Sequence, residues 1–257
     1  MKRPVISLLT DFGTVDHYAG VMKGVILGIC PDAQLVDISH DVTPFAMVEA
    51  AWTLGQAWRY FPAGTVHLIV VDPGVGSDRR PIVAEAGGHR FVAPDNGVLS
   101  MIFEAEPVHE VREITVAAYF GGQVSRTFHG RDIFAPVAAH LASGVAAGNV
   151  GERLDDYVRL DFFRPIITRP GEWSGRIVKI DRFGNAVTNF DAETGRFELQ
   201  VGNRSISRLA SSYAEVPEGE LFLIGGSSGK LEISINQGSA AKELGVRPGE
   251  SLTLWAL

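Results

Sequence analysis

The sequence predicts an α/β fold, with an N-terminal α/β sheet domain and a smaller C-terminal β-barrel-like domain. Over the first 160 residues, short apolar segments typical of buried strands alternate with segments of helical periodicity. Beyond about residue 172, short alternating strands separated by Gly and Asn dominate. We therefore place the N-terminal domain at residues 1–163 and the C-terminal domain at 172–257. The segment 164–171 holds two prolines and a glycine and is predicted to be a linker.

Apolar spacing and helix-ending residues define the elements of the N-terminal domain. Helical spacing of apolar residues over 16–29 ends at Pro31. Thr43 precedes Pro44 at a favoured helix start, and a Gly-Gly pair at 87–88 predicts a hairpin. The predicted strands are 4–9, 34–39, 65–70, 82–86 and 90–93, and the predicted helices are 16–29, 43–61 and 132–142.

The C-terminal domain is predicted to consist mainly of short strands. Its apolar residues alternate with polar ones, as in half-buried strands, and turn-forming residues lie between the segments. The predicted strands are 175–180, 197–201, 221–224, 231–235 and 251–255, with one short helix at 239–244.

Composition limits the partners and the compartment. With a formal charge of −7 and no long basic run, the chain lacks the clustered cations that nucleic-acid binding requires. No apolar run approaches the ~18 residues of a membrane span, and no signal-peptide pattern occurs. The single cysteine, Cys30, excludes an intrachain disulfide, and its place beside Pro31 favours buried packing over a nucleophile. We predict a cytoplasmic protein with no nucleic-acid or membrane partner.

Motifs for common cofactors and metals are absent. No Walker loop, complete G-x-G-x-x-G, C-x-x-C or H-E-x-x-H occurs. His17 and His40 each neighbour an aspartate, but such isolated pairs are common on loops and helix caps. No metal site is predicted.

Three segments place ionisable residues at the ends of predicted elements. Asp11 follows the first strand, and Asp72 follows the strand of 65–70, with Arg79 seven residues further on. His129 precedes the helix predicted at 132–142. Ligands collect at the carboxyl ends of strands in open α/β sheets, which favours a site. On the residues alone, Asp11 as a helix cap and Asp72–Arg79 as a structural ion pair stay open.

Together with two segments of the C-terminal half, these segments resemble one protein family. The motifs are Leu-Thr-Asp11-Phe-Gly, Val-Asp72-Pro-Gly-Val-Gly with Arg79, Thr-Phe-His129-Gly-Arg-Asp, Ile-Asp181-Arg-Phe-Gly-Asn185 and Asn236-Gln-Gly-Ser-Ala-Ala241. In this order, over essentially the whole chain, they look like the S-adenosyl-L-methionine hydroxide adenosyltransferases, relatives of the bacterial fluorinase and chlorinase.

The resemblance implies a hydrolysis. Water attacks C5′ of the ribose of S-adenosyl-L-methionine and methionine leaves, giving adenosine and L-methionine. The sulfonium departs as a neutral thioether and needs no general acid, whereas the water must be aligned and polarised. The family residues matching Asp72, Arg79 and His129 hold that water. We assign the proton to His129, directly or through its partners, and orientation and charge to the other two. S-adenosyl-L-methionine is then a substrate, and no cofactor is expected.

The resemblance also implies contacts to the rest of the substrate. In the N-terminal domain, Asp11 would bind the ribose hydroxyls, Phe45 would wall the ribose side and Phe128 would pack near the reacting carbon. The C-terminal contacts would be Asp181 and Ser227 at the amino acid end, Asn185 with the Ser239 and Ala240 backbone at the adenine edge, and Phe183 and Tyr213 on the adenine faces.

Two questions stay open at the C-terminal contacts, and the reaction has two alternatives. The barrel core is the alternative location for Phe183 and Tyr213, and Ser228 stands where the fluorinase has an arginine. A halogenase is disfavoured, because those enzymes carry tyrosine at positions 72 and 129 and threonine at 75, and a carboxylate at 72 would repel a halide. A non-catalytic adenosine- or S-adenosyl-L-methionine-binding module would have no use for a water-polarising set.

The resemblance finally implies an oligomeric state. In the family, three copies assemble, and each substrate lies between the first domain of one subunit and the second domain of its neighbour. We therefore expect a homotrimer.

Overall fold

The computed structural model describes residues 3–192 and 197–257. The chain divides into two compact units, with the division between Leu160 and Asp161. A mixed sheet with helices forms the first unit, and a curled, almost entirely β sheet forms the second. The predicted fold class is confirmed.

A six-stranded sheet forms the centre of the first unit. Its strands are β1 Val5–Thr10, β2 Gln34–Ser39, β3 Val66–Val70, β4 Pro81–Ala86, β5 His89–Pro94 and β6 Val108–Glu113. The strand order is β2-β1-β3-β5-β4-β6. Strands β1, β2, β3 and β5 run parallel, and β4 and β6 pair antiparallel.

Helices cover both faces of this sheet. They are α1 Tyr18–Ile29, α2 Met47–Ala57, α3 Ser100–Ala105 and α4 Ala135–Ala142. Successive strand residues point to opposite faces, so Leu8 packs in the cluster of α1 and α4 while Leu9 packs in that of α2 and α3. Cys30 is buried in the first cluster, as predicted.

Two parallel neighbours define the functional edge of the sheet. Strands β1 and β3 pair with Thr10 opposite Val70. Asp11 follows Thr10 directly and Asp72 lies two residues beyond Val70. Both aspartates therefore emerge at the carboxyl edge, where α/β sheets bind ligands.

The helix predicted to start at Thr43 is shorter than expected. Helix α2 begins at Met47, because Phe45 has a φ of 67°, a left-handed conformation that a helix does not continue through. The backbone N–H of Phe45 donates to Asp11 Oδ2 over 2.8 Å. A tertiary hydrogen bond thus overrides the local Thr-Pro start signal.

In the described part of the second unit there are nine strands. They are β7 Ile166–Arg169, β8 Glu172–Ile180, β9 Ala186–Asp191, β10 Phe197–Val201, β11 Arg204–Ile206, β12 Leu209–Ala210, β13 Leu221–Gly225, β14 Lys230–Ile235 and β15 Ser251–Ala256. The order is β11-β10-β15-β8-β9-β14-β13-β12, with β7 also paired to β8. The first half of β8 pairs with β15 and its second half with β9, so the sheet curls around one apolar core.

The predicted linker 164–171 contains a strand. Residues 166–169 form β7, and Pro170 and Gly171 make the turn into β8. The prolines that suggested a linker lie outside the strand, where no ladder N–H is needed. This segment belongs to the second unit.

The helices of the structure are short. The five α-helices among the described residues span 5 to 12 residues, and none is long and apolar enough to cross a membrane.

Candidate active site

Asp72 and Arg79 form a buried, two-pronged ion pair. The loop between them turns back at Gly76, which has a φ of 77° and lies so close to the Arg126 carbonyl that a Cβ would overlap it. Arg79 Nε donates to Asp72 Oδ1 over 3.0 Å, and Arg79 Nη2 donates to Asp72 Oδ2. Their side chains are 7% and 5% exposed. The ion pair between these two residues, seven positions apart in the sequence, therefore joins the two ends of the loop.

His129 joins this pair from another element. It directly precedes a π-helical segment, Gly130–Phe134, that continues into α4. Its Nδ1 lies 3.2 Å from Arg79 Nη2. An arginine has only donors, so Nδ1 accepts this hydrogen bond and the neutral ring carries its proton on Nε2. One guanidinium thus contacts both the carboxylate and the imidazole.

Burial shifts the titration of this cluster. Burial raises the pKa of Asp72, although the Arg79 charge opposes that rise. Burial also lowers the pKa of His129, and the Arg79 charge adds to this effect. The imidazole is therefore neutral near pH 7. Arg79 Nη1 is buried and has no hydrogen-bond partner among the described residues, so its N–H groups are left for a water or a ligand.

A cavity of about 390 Å³ opens beside the cluster in the first unit. Asp72 and His129 line it, together with Asp11 and Phe45. Asp11 does not cap the following helix, since the N-cap residue of α1 is His17 and makes no side-chain cap bond. The helix-cap interpretation of Asp11 is wrong.

Aromatic and aliphatic residues also line this cavity, among them Phe45 and Phe128. Phe45 is 68% exposed, and its left-handed backbone projects the residue from the loop. Phe128 is buried and packs edge-on against Phe12 and Tyr18. Val75 also lines the cavity. The structure thus brings Asp11, Phe45 and Phe128 to the same cavity as the Asp72 cluster.

Two buried polar side chains, Thr10 and His40, pair with each other, and Thr10 directly precedes Asp11 in the sequence. Thr10 Oγ1 lies 2.8 Å from His40 Nδ1 and accepts a hydrogen bond from the Phe12 N–H. His40 Nε2 lies 3.1 Å from an oxygen of Asp37, but without hydrogen-bond geometry. His40 is therefore a packing and hydrogen-bonding residue here. Among the described residues, no group of three or more His, Cys, Asp or Glu could hold a metal ion.

A second cavity, of about 720 Å³, lies within the second unit. Five of the residues matched to the substrate line it: Asp181, Phe183, Asn185, Tyr213 and Ser227. Phe183 is 78% exposed and Tyr213 is 38% exposed, so the barrel-core interpretation is wrong for both rings.

Asp181 organises the loop that carries these residues. Its Oδ1 accepts from the N–H groups of Phe183 and Asn185, over 2.9 and 2.8 Å, and its Oδ2 accepts from Asn185 Nδ2. An aspartate that bonds the backbone two residues on makes an Asx turn. The carboxylate is therefore fixed at the wall of the cavity.

Ser227 lies in the tight connection between β13 and β14. Residues 225–229 have the spacing G-x-S-x-G, which in hydrolases places a nucleophilic serine on a strand-turn-helix. Here the segment joins two antiparallel strands, so that context is missing. Ser227 is thus a cavity-lining hydroxyl.

Ser239 and Ala240 lie near this cavity's residues in sequence but do not line it. The Ser239 side chain caps helix α5, Ala240–Leu244, by accepting from the Lys242 N–H, and Ala240 is fully buried. The adjacent Gln237 and Gly238 line the cavity instead. Contact of the Ser239 and Ala240 backbone with adenine stays a prediction.

Glu232 is a cavity residue that the sequence analysis missed. It lies on β14 and lines the second cavity, while Leu231 and Ile233 on the same strand point into the core. Burial, and next the negative charge of Asp181, raise its pKa. The alternation of apolar residues at 231, 233 and 235 was the signal that could have placed a charged residue on the opposite face.

Fold and site together define a two-domain α/β protein with a carboxylate–guanidinium–imidazole cluster at its strand ends. The sequence models of the SAM (S-adenosyl-L-methionine) hydroxide adenosyltransferase N-terminal and C-terminal domains match residues 6–151 and 175–253. This chain belongs to that family.

Individual relatives match this chain over most or nearly all of its length. An (R)-S-adenosyl-L-methionine hydrolase from Thermus thermophilus is 37% identical, over 98% of this chain and 99% of its own. A fluorinase from Actinoplanes sp. is 32% identical over 72% of this chain and 71% of its own. A crystal structure of an uncharacterized conserved protein from Thermotoga maritima has a TM-score of 0.89 at 39% identity, covering 97% and 99% of the two chains.

Proposed function

We propose that this chain is an S-adenosyl-L-methionine hydrolase that forms adenosine and L-methionine. The observation that carries the proposal is the ionic cluster of Asp72, Arg79 and His129 beside a cavity that also contains Asp11. The full-length hydrolase relative supports the same reaction. A module that only binds the cofactor would gain nothing from this cluster, since a buried ion pair contributes little to stability by itself.

The leaving group of this reaction needs little assistance from the protein. A C5′–O bond forms as the C5′–S bond breaks, and the electron pair of the broken bond stays on sulfur, which becomes a neutral thioether. No general acid is needed for that step. The attacking water must lose a proton, so the enzyme supplies alignment and a proton acceptor.

Asp72 is the group best placed to accept the proton. Both of its oxygens accept from Arg79, yet each retains capacity for a further hydrogen bond. The Nδ1 lone pair of His129 is occupied by Arg79, so it takes up a proton only when that bond is released. This differs from the assignment of the proton to His129 that the resemblance suggested: in this proposal His129 holds Arg79, and Arg79 orients Asp72.

The remaining residues divide between the two ends of the substrate. Asp11 would accept hydrogen bonds from the ribose hydroxyls, with Phe45 and Phe128 beside the sugar. In the second cavity, Phe183 and Tyr213 would contact adenine, as Asn185 would at its edge. Asp181 and Ser227 would hold the amino acid end. No cofactor takes part, because the sulfonium is already an activated leaving group.

We also propose a homotrimer as the working assembly. What supports it is that residues matched to the ribose and to the adenine lie in different domains, as in the family this chain belongs to. Sedimentation equilibrium tests the proposal. A mass of three chains is expected, and a mass of one or two chains overturns it.

Product analysis tests the proposed reaction. Purified protein is incubated with S-adenosyl-L-methionine with and without chloride, and the products are separated and weighed. Adenosine and methionine in equal amounts, independent of chloride, are expected. Formation of 5′-chloro-5′-deoxyadenosine would indicate a halogenase, and unchanged substrate would indicate a binding module.

A further inference from the structure

Glu232 is a half-buried carboxylate that the nearest basic residue in sequence does not neutralise. Lys230, on the same face of β14, is the nearest basic residue in sequence, but its Nζ contacts Asp191 Oδ1 at 2.6 Å and the Asn189 carbonyl at 3.4 Å. In the described parts of the chain, no hydrogen bond or ion pair of Glu232 occurs. A half-buried carboxylate without a partner is costly unless a ligand supplies the charge.

The position of the carboxylate is set by its neighbours. Glu232 pairs in register with Ile224 on β13 and Val187 on β9, so its Cα is held in the middle of the curled sheet. Its side chain lies over Gly226, where a Cβ would overlap the carboxylate. Gly226 therefore leaves room for the carboxylate at the cavity, beside Ser227.

The cavity carries a second carboxylate, that of Asp181, which also accepts three hydrogen bonds from the backbone and side chain of its own loop. Two carboxylates in one cavity repel each other, and a cation relieves this repulsion. The neutral amino group of adenine could donate a hydrogen bond to a carboxylate, but it brings no positive charge to relieve this repulsion. The chemistry of the pair thus selects a positively charged group.

We propose that Glu232 is a specificity-determining residue that binds the α-ammonium group of the substrate's amino acid end. This inference rests on the proposed function, because it names which part of that substrate the second cavity selects. Adenosine and other nucleosides without an amino acid end would gain nothing from Glu232. S-adenosyl-L-methionine and its thioether S-adenosyl-L-homocysteine would both gain a charge-assisted hydrogen bond.

Equilibrium titration with unreactive ligands tests the proposal. S-adenosyl-L-homocysteine carries the ammonium, and 5′-methylthioadenosine has the same thioether and nucleoside but no amino acid end. Glu232→Gln keeps the size of the side chain and removes its charge. We expect this variant to bind S-adenosyl-L-homocysteine roughly tenfold or more weakly, the usual scale of a hydrogen bond to a charged group. Its affinity for 5′-methylthioadenosine should stay within about twofold.

Two further variants keep the test decisive. Gly226→Ala has an ordinary backbone conformation and displaces the Glu232 carboxylate, so it should show the same selective loss. Glu218→Gln removes an exposed charge of the same unit outside the cavity and should change neither affinity. Equal loss for both ligands, or no loss for either, in Glu232→Gln overturns the proposal. Because neither ligand is turned over, this result is independent of whether the wild-type protein hydrolyses S-adenosyl-L-methionine.

Discussion

Arg79 holds Asp72 and His129 through one guanidinium group. Its Nε and Nη2 donate to the two oxygens of Asp72, and Nη2 also lies 3.2 Å from His129 Nδ1. The same nitrogen, Nη2, therefore contacts the charged carboxylate and the imidazole nitrogen that carries no proton. This sharing makes the three side chains act as one unit in the predictions that follow.

The pH dependence of turnover should be governed by Asp72. Burial raises its pKa above the ordinary 3.8, and the proposed proton acceptor is its carboxylate form, so kcat/KM should fall as the pH falls through that raised pKa. Since the pKa of His129 is lowered from 6.5, its protonation is expected at a more acidic pH than that of an ordinary histidine. The acid limb set by Asp72 should therefore lie above pH 3.8.

A pH–rate profile of two variants checks this assignment. Asp72→Asn should lose most activity and the acid limb with it, whereas Asp78→Asn, an exposed aspartate of the same loop, should retain the wild-type profile. An unchanged acid limb in Asp72→Asn would show that another group titrates in this pH range.

His129→Ala should slow hydrolysis and leave adenosine binding nearly intact. Removing the imidazole frees Arg79 Nη2 and disturbs Asp72, so a loss of ~10²–10⁴-fold in single-turnover rate is expected. The Asp72→Ala/His129→Ala double variant should be little slower than either single one, as for residues that act together. His109→Ala, at an exposed histidine, is the matched control. Multiplicative losses in the double variant would show that the residues act independently.

Asp11→Ala should lose affinity for adenosine more than stability. The carboxylate is exposed to the cavity, and losing its hydrogen bonds to a ribose diol costs about 1.5–3 kcal/mol of binding. The freed Phe45 N–H is exposed and can bond to water instead. Calorimetric titration and thermal unfolding measure both quantities, with Asp41→Ala in the neighbouring loop as a control. Wild-type affinity for adenosine in Asp11→Ala would show that Asp11 does not bind the ribose.

A buried histidine outside the site should make the fold acid-sensitive. His67 is fully buried, with Nδ1 2.6 Å from Ser7 Oγ and Nε2 3.1 Å from His89 Nδ1, and burial lowers its pKa to about 3. The unfolded chain, with a histidine pKa of 6.5, binds one more proton between these values. Stability contributed by the neutral ring is thus complete above pH 6.5 and is lost as the pH falls towards 3, by up to ~1.4 kcal/mol per pH unit.

Urea unfolding between pH 7 and pH 4 measures this slope. His67→Gln keeps polar ends and does not titrate, so its stability should depend less steeply on pH than that of the wild type. His109→Gln, at the exposed site, should follow the wild-type slope. Parallel curves for His67→Gln and the wild type would place the acid sensitivity in other groups.

Local pattern was sufficient for much of the fold. The strand predicted at 34–39 has the observed bounds, since apolar alternation and flanking turns act locally. The start of α2 was missed because the left-handed Phe45 depends on its bond to Asp11, 34 residues away. The strand β7 was missed because prolines at 165 and 170 obscured a pairing with β8.

The site was predictable where its residues are spaced closely in sequence. Asp72 and Arg79 lie seven residues apart, at the two ends of one loop, and their side chains form a hydrogen-bonded ion pair. The bond of Arg79 to His129 spans 50 residues and decides which nitrogen carries the proton, which no sequence pattern specifies. Glu232 could not be predicted because its lack of a partner depends on a distant contact. Lys230, two residues away, pairs with Asp191 on another strand instead.

Hydrolysis in ¹⁸O-labelled water tests the central claim most directly. The protein is mixed in excess with S-adenosyl-L-methionine in labelled water, and the products of a single turnover are weighed. The account predicts adenosine carrying one ¹⁸O, at the 5′ oxygen, and unlabelled methionine, because water attacks C5′ and the C5′–S bond breaks. Adenosine without the label, or a 5′-substituted nucleoside in its place, would contradict the attack of an Asp72-polarised water.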